Sequence, residues 1–339
     1  MDAQSLDTKA VAAYLADAMP GFTGQITADK FEVGQSNPTY RLHTDAGDLV
    51  LRRKPPGALL KSAHAVDREF RVQRALAHTA VPVPKMHVLC QDTSVIGTDF
   101  YVMDMVAGRN FNEPTLDALT PRDRARVMDD WNRVLAALHN VDVAAVGLSD
   151  YGPPGNYFDR QIARWGKQYR ATRTAPLPDM DRLIAALETQ FPADDGQRSL
   201  VHGDYRIDNM IFATDGTDCV AVLDWELSTI GHPYADVASV IMQWQMPPGP
   251  DTRGLAGVDR TAHGLPSDDD FIAAYCDRRG IARPANFGFY TGFCFFRMAS
   301  ILQGVHRRAL DGNASNPDAA HKLAQAIPVY ARKGLEALG

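Results

Sequence analysis

The stretch that most constrains the fold is Val201 to Trp225, VHGDYRIDNMIFATDGTDCVAVLDW. Two short apolar runs, Asn209 to Phe212 and Cys219 to Leu223, flank a turn that carries Asp215 and Gly216. Apolar runs bounded by turn residues read as a β-hairpin. His202, Asp204 and Asn209 precede the first strand, and Asp224 follows the second. Closing the hairpin therefore gathers acids and an amide at one end of it. Oxygen donors of this kind, with no cage of His or Cys, suit Mg²⁺, which takes one or two carboxylates together with substrate phosphates.

An Asp, an Asn five positions later, and a second Asp after a hairpin follow the order of parts used in kinase-type phosphoryl transfer. HGDYRIDN followed by LDWE resembles the aminoglycoside-phosphotransferase-like family, relatives of the protein kinases with Gly where those have the Arg of HRD. Within it, GQSNPTY, VLRRKPPG, SAHAVDREFRV, GNYFDRQIARWGKQYR and HGDYRIDNMIF are similar to the kinase-like domains fused to acyl-CoA dehydrogenases. The resemblance runs over nearly the whole chain. It implies an α+β, two-lobed protein-kinase-like fold, with a β-rich nucleotide-binding lobe at residues 1–105 and a mostly helical catalytic and acceptor-binding lobe at 106–339. It implies ATP and Mg²⁺ as cofactors. By role, Asp204 orients or deprotonates the acceptor hydroxyl, Asn209 and Asp224 hold Mg²⁺, and His202 braces the loop.

Toward the N-terminus, Asp7 can cap a helix to about Met19, and strands follow Gly24. Between two of them, Gly34, Ser36 and Asn37 make a turn able to bring backbone N–H groups close to phosphate oxygens, since glycine permits positive φ. Any hairpin turn has this look, and it is the position before the remaining kinase-like segments that makes it a phosphate turn. Leu49 to Arg52 returns as a strand ending in Arg52, Arg53 and Lys54. The resemblance places Arg52 where kinases keep a lysine for the nucleotide's phosphates. An arginine's planar fork can serve a phosphate, and Lys54 is the rival. A helix from Ser62 to about His78 carries Glu69, the implied partner of Arg52. FYVMDMVAGR resembles the hinge between kinase lobes, with Met103 as gatekeeper and the Asp104 carbonyl and Val106 amide as adenine contacts.

The acceptor side is written less plainly. Phe158, Ile162, Trp165 and Tyr169 recur at helical spacing, with Arg160, Arg164 and Lys167 on another face and no acid between Arg160 and Pro178. A site for polycationic aminoglycosides needs carboxylates, so a basic helix points to an anionic acceptor; a solvated basic face reads equally well. Only 11 residues separate Asp224 from Asp236, too few for the activation segment that holds a peptide, which favours a small-molecule acceptor over a protein. Asp236 is expected to hydrogen-bond the catalytic-loop backbone. A Pro- and Gly-rich loop at Met246 to Pro266 precedes helices at Ser267–Gly280, Pro284–Leu310 and Asp318–Leu338. On the second of these, Arg297 and His306 to Arg308 could face the acceptor.

A net charge of −6 argues against broad binding to nucleic acid. Cys90, Cys219, Cys276 and Cys294 are scattered with no CxxC pair, and a reducing compartment is the simplest inference. With no apolar run of membrane-spanning length and no apolar leader segment, no membrane partner and a cytoplasmic location are expected. The expected reaction moves the γ-phosphoryl group of ATP to a hydroxyl of a small molecule. The resemblance to the fused domains implies a hydroxyacyl-CoA or hydroxy acid acceptor. An aminoglycoside or other antibiotic, a nucleotide-binding pseudokinase module, and a protein kinase are the alternatives.

Overall fold

The structure, a computed structural model, describes residues 6–32, 37–55, 64–314 and 316–339. Gly34 and Ser36 of the expected phosphate turn, and the expected helix start at Ser62, lie outside the described residues.

Helix α1 (Thr8–Ala18) begins where the Asp7 side chain accepts from the Ala10 N–H at 3.0 Å. After it come strands β1 (Thr27–Lys30), β2 (Thr39–Thr44) and β3 (Gly47–Arg53), helix α2 (Val66–Leu76), β4 (Met86–Cys90), the single turn α3 (Thr93–Ile96) and β5 (Phe100–Asp104). The strands form one antiparallel sheet in the order β1-β2-β3-β5-β4. Successive side chains on a strand point to opposite faces, and this alternation sorts the core into two. Leu51, Phe100 and Val102 pack with Val11 and Leu15 of α1. Val50, Tyr101 and Met103 pack with Val66 and Phe70 of α2. Arg52, two positions after Val50 and paired across the ladder with Tyr101, is thereby turned toward α2.

The rest of the chain is mainly helical. It runs α4 (Pro121–His139), α5 (Tyr157–Thr172), α6 (Pro178–Thr189), β6 (Ser199–Val201), β7 (Met210–Phe212), β8 (Cys219–Val222), β9 (Thr229–Gly231) and α7 (Tyr234–Trp244). It ends with α8 (Arg260–His263), α9 (Asp268–Arg279), α10 (Gly288–Leu310), α11 (Pro317–Ala324) and α12 (Ile327–Leu338). Single 3₁₀ turns at Ile207–Asn209 and Trp225–Leu227 flank the β7–β8 hairpin. Helix α10 is central, packing on α5, α7, α11 and α12 with Phe293, Phe295 and Phe296 fully buried. Each such side chain contributes about 1.5–3 kcal/mol relative to leaving it exposed. Among the described residues, no helix is long and apolar enough to cross a membrane.

Several local expectations shift. Asn209 closes a 3₁₀ turn instead of opening the strand, which starts at Met210. Helix α10 starts at Gly288, after a turn at 285–287, instead of Pro284. The single helix expected over Asp318–Leu338 is two, because Pro328 lacks an N–H and its ring excludes the carbonyl four residues back, as a continuous helix would require. Helix α6 was not expected, although Pro178 at its start with Asp179 and Asp181 in the first turn is a recognisable helix opening.

Candidate active site

Strand β6 delivers the chain into the loop His202–Asn209, and that loop rests on one buried carboxylate. Asp236, in the first turn of α7 and 1% exposed, accepts from the His202 N–H at 2.7 Å and the Gly203 N–H at 2.9 Å. His139 Nε2 lies 3.2 Å away, and its Nδ1 meets the Tyr275 hydroxyl at 2.7 Å. Burial alone would raise the Asp236 pKa, but the bond from His139 and the loop amides hold it below the ordinary carboxylate value. The expected tie between Asp236 and the loop backbone is present. His202 is fully buried; its Nε2 donates to the Leu223 carbonyl at 2.9 Å, fastening the loop to the end of β8. Gly203 has φ +83°, and a Cβ there would stand 2.6 Å from the Leu227 carbonyl oxygen, so a side chain cannot be carried at that point.

The loop side chains then diverge. Asn209 donates its amide to the Asp204 carbonyl at 2.9 Å and carboxylate at 3.2 Å, which leaves its own side-chain oxygen available. Arg206 pairs with Asp204 at 3.1 Å and Asp208 at 3.5 Å, and Arg253 pairs with Asp208 at 3.2 Å. Asp208 Oδ1 is buried without a hydrogen-bond partner. Asp224 stands at φ +64°, ψ +58°, a left-handed conformation that costs a non-glycine residue about 1 kcal/mol or more and is typical of sites under functional constraint.

Arg52 joins the sheet to this loop. Its Nη2 donates to Asp224 Oδ1 at 2.6 Å, and its Nε lies 3.0 Å from Glu69 Oε2. Glu69, fully buried, also accepts from Asn37 Nδ2 at 2.7 Å and the Tyr101 hydroxyl at 3.0 Å. Burial pushes Glu69 up to about 7 against the pull of Arg52.

Two cavities lie on either side of the loop. One, of about 280 Å³, is bounded by Arg52, Met103, Val106, Asp208, Asn209 and Asp224, with Asp104 and Val50 also in its wall. The other, of about 390 Å³, is bounded by Asp204, Arg206, Arg253 and Lys322 over an apolar floor that includes Met298 and Tyr330. The first offers the Asn209 side-chain oxygen, Asp224 and the unpartnered Asp208 oxygen, all hard donors, and so fits Mg²⁺ bound together with phosphates. Among the described residues, no group of three His, Cys, Asp or Glu is placed to hold a metal ion.

The model of the phosphotransferase enzyme family matches residues 27–283. The chain belongs to this family. Among curated relatives of this phosphotransferase, acyl-CoA dehydrogenase family member 10 of Mus musculus is 45% identical over 298 residues, covering 88% of this chain and 28% of that protein. Acyl-CoA dehydrogenase family member 11 of Homo sapiens is 39% identical over 339 residues, covering 97% of this chain and 43% of the relative. The chain thus spans less than half the length of these relatives. A solved structure from Ralstonia eutropha JMP134, provisionally named an aminoglycoside phosphotransferase, aligns with TM-score 0.91 and 43% identity over 98% of both chains. A thermostable mutant of aminoglycoside phosphotransferase APH(4)-Ia, in ternary complex with AMP-PNP and hygromycin B, aligns with TM-score 0.62 at 15% identity, covering 95% of this chain and 98% of that one. The fold is the two-lobed protein-kinase-like one, and by family the chain is a phosphotransferase.

In this phosphotransferase Asp204, Asn209, Asp224, His202, Asn37, Arg52 and Glu69 are brought together, and Asp104 and Val106 line the first cavity. Lys54 is turned away and pairs with Asp99 at 2.6 Å. Arg160, Arg164 and Lys167 line neither cavity. Arg160 ties down its own loop through the Pro154 and Asn156 carbonyls, Arg164 lies over Trp165, and Lys167 is exposed. Arg297 reaches the site from behind, donating to the Gly203 carbonyl at 2.9 Å, whereas Arg307 pairs with Asp311. The cations that bound the second cavity, Arg206, Arg253 and Lys322, were missed. Arg206 was within reach, since it sits inside HGDYRIDN two positions after Asp204. Nothing local in the sequence marks Arg253 or Lys322.

Proposed function

We propose that this protein transfers the γ-phosphoryl group of ATP to a hydroxyl of a small anionic acceptor, with residues 1–105 as the nucleotide-binding lobe and 106–339 as the catalytic and acceptor-binding lobe. The observation that carries the reading is the pair of cavities separated by one loop, with Asp208 and Asn209 facing the first and Asp204 facing the second. ATP would occupy the first, its adenine against the Asp104–Val106 backbone and its phosphates toward Arg52. Asn209 and Asp224 would hold Mg²⁺, which neutralises charge on the phosphates. Asp204 aligns the acceptor hydroxyl and takes its proton, with His202 bracing the loop.

The acceptor cavity supports an anionic, partly apolar molecule, because Arg206, Arg253 and Lys322 face it against Asp204 and Asp251 over an apolar floor. Relatives named for acyl-CoA dehydrogenases make a hydroxyacyl-CoA the acceptor of choice, or a related hydroxy acid. The test is Mg²⁺-dependent ADP release with a 4-hydroxyacyl-CoA, against an aminoglycoside panel and a control lacking acceptor. Stimulation by the acyl-CoA is expected. Stimulation by aminoglycosides alone would overturn the acceptor assignment. Asp204→Ala should keep nucleotide binding and lose turnover, whereas Asp224→Ala should lose both; equal loss of binding would sink this division of roles.

A further inference from the structure

Helix α2, which carries Glu69, has Ala65 at its N-cap and no side-chain capping bond there. Eleven residues are too few to hold a helix in place unaided, so its position depends on what it touches. The residue beside Glu69 supplies several of those contacts. The Arg68 guanidinium lies over the Tyr151 ring, 4.1 Å from its centroid. It donates to the Tyr151 carbonyl at 2.8 Å and reaches the Ser228 carbonyl at 3.4 Å. The Tyr151 hydroxyl returns to the Arg68 carbonyl at 3.1 Å and lies 2.8 Å from Ser228 Oγ, which in turn donates to the Trp225 carbonyl at 2.6 Å. Trp225 follows Asp224 directly. One turn along α2, Arg71 donates to the Gly147 carbonyl at 2.8 Å and pairs with Asp150. The segment that receives both arginines is itself pinned, since a Cβ on Gly152 would stand 2.6 Å from the Ile230 nitrogen of β9.

These contacts close a ring through Glu69's neighbour, Tyr151, Ser228 and Trp225 back to Asp224, with Arg52 stretched between Glu69 and Asp224. We propose that Arg68, acting through Tyr151 and Ser228, is a positioning residue that sets the separation of Glu69 and Asp224 and so holds Arg52 in place. The proposal rests on the reading that Arg52 meets the phosphates of ATP.

The experiment compares Arg68→Ala, Arg68→Lys and Tyr151→Phe in the full chain by amide hydrogen exchange and by steady-state kinetics. Arg68→Ala should accelerate exchange across residues 66–76 while leaving α4 and α10 protected, and should raise KM for ATP and lower kcat by about 10-fold or more. Arg68→Lys should recover only part of this, since an ammonium neither stacks on the ring nor donates as a fork. Tyr151→Phe, which keeps the ring and loses the hydroxyl, should fall between Arg68→Ala and the wild type. A folded Arg68→Ala protein with wild-type exchange in α2 overturns the proposal, as does faster exchange with unchanged KM for ATP. Failure of the underlying reading shows separately, as an Arg52→Ala variant whose KM for ATP does not move.

Discussion

Replacing Asp236 by Asn tests whether the catalytic loop is held by charge or by shape. The carboxylate receives three donors: the His202 N–H at 2.7 Å, the Gly203 N–H at 2.9 Å and His139 Nε2 at 3.2 Å. An asparagine of the same size keeps one acceptor oxygen and turns an amide N–H₂ toward at least one of those donors. A hydrogen bond to a charged acceptor is worth about 1.5–3 kcal/mol, and a buried donor left unmet costs about 1–3 kcal/mol. Removing a buried charge gives some energy back, but Asp236 holds its pKa below the ordinary value despite full burial, so its surroundings favour the charge more than water does. A net loss of about 3 kcal/mol is expected. All four tryptophans, Trp131, Trp165, Trp225 and Trp244, lie after residue 105, so urea unfolding followed by their fluorescence reads this part of the chain. Because the loop carries Asp204, kcat should fall by about 100-fold while nucleotide affinity is largely kept. A variant within about 1 kcal/mol of wild type, turning over within about threefold, would show that packing alone positions the loop.

Two further outcomes follow from Arg52 and its partner. Arg52→Ala should raise KM for ATP by at least about 10-fold, whereas Lys54→Ala should change it little, because Lys54 faces Asp99 outside the cavity; the reverse order in nucleotide titrations would restore Lys54 as the phosphate contact. Glu69 has its folded pKa raised to about 7 by burial, above its unfolded value, so its contribution to stability is full below the ordinary carboxylate range and is lost as pH rises to 7. The stability of wild type relative to Glu69→Gln should therefore fall by on the order of 2–3 kcal/mol between pH 4.5 and 7, and a pH-independent difference in urea midpoints would contradict the assignment.

What the sequence made legible divides by the range of the interaction. The hairpin and its flanking polar residues are local, and HGDYRIDN with LDWE places His202, Asp204, Asn209 and Asp224 within 23 positions of one another. Arg52 against Lys54 was open in sequence, because both are cations near the end of one strand. Strand periodicity cannot separate them, since residues two apart share a face; what differs is that Arg52 pairs with Glu69 and Asp224 while Lys54, past the end of β3, pairs with Asp99. The acceptor side was far less legible. An anionic acceptor is the reading of Arg160, Arg164 and Lys167, whose spacing on α5 is visible in one dimension, yet these residues line neither cavity. The cations that bound the cavity beside Asp204 come from three distant places: the loop itself, Arg253 at φ +51° in the Pro- and Gly-rich segment, and Lys322 on α11. Helical periodicity reports which residues share a face of one helix; it carries no information about which face another segment, 80 or 150 residues later, will close over. Both places carry cations, and that shared sign is no evidence that α5 binds an acceptor. Arg253 pairs with Asp208 at 3.2 Å and Lys322 with Asp251 at 2.7 Å, so an acceptor's anionic group would have to compete with those carboxylates for both cations.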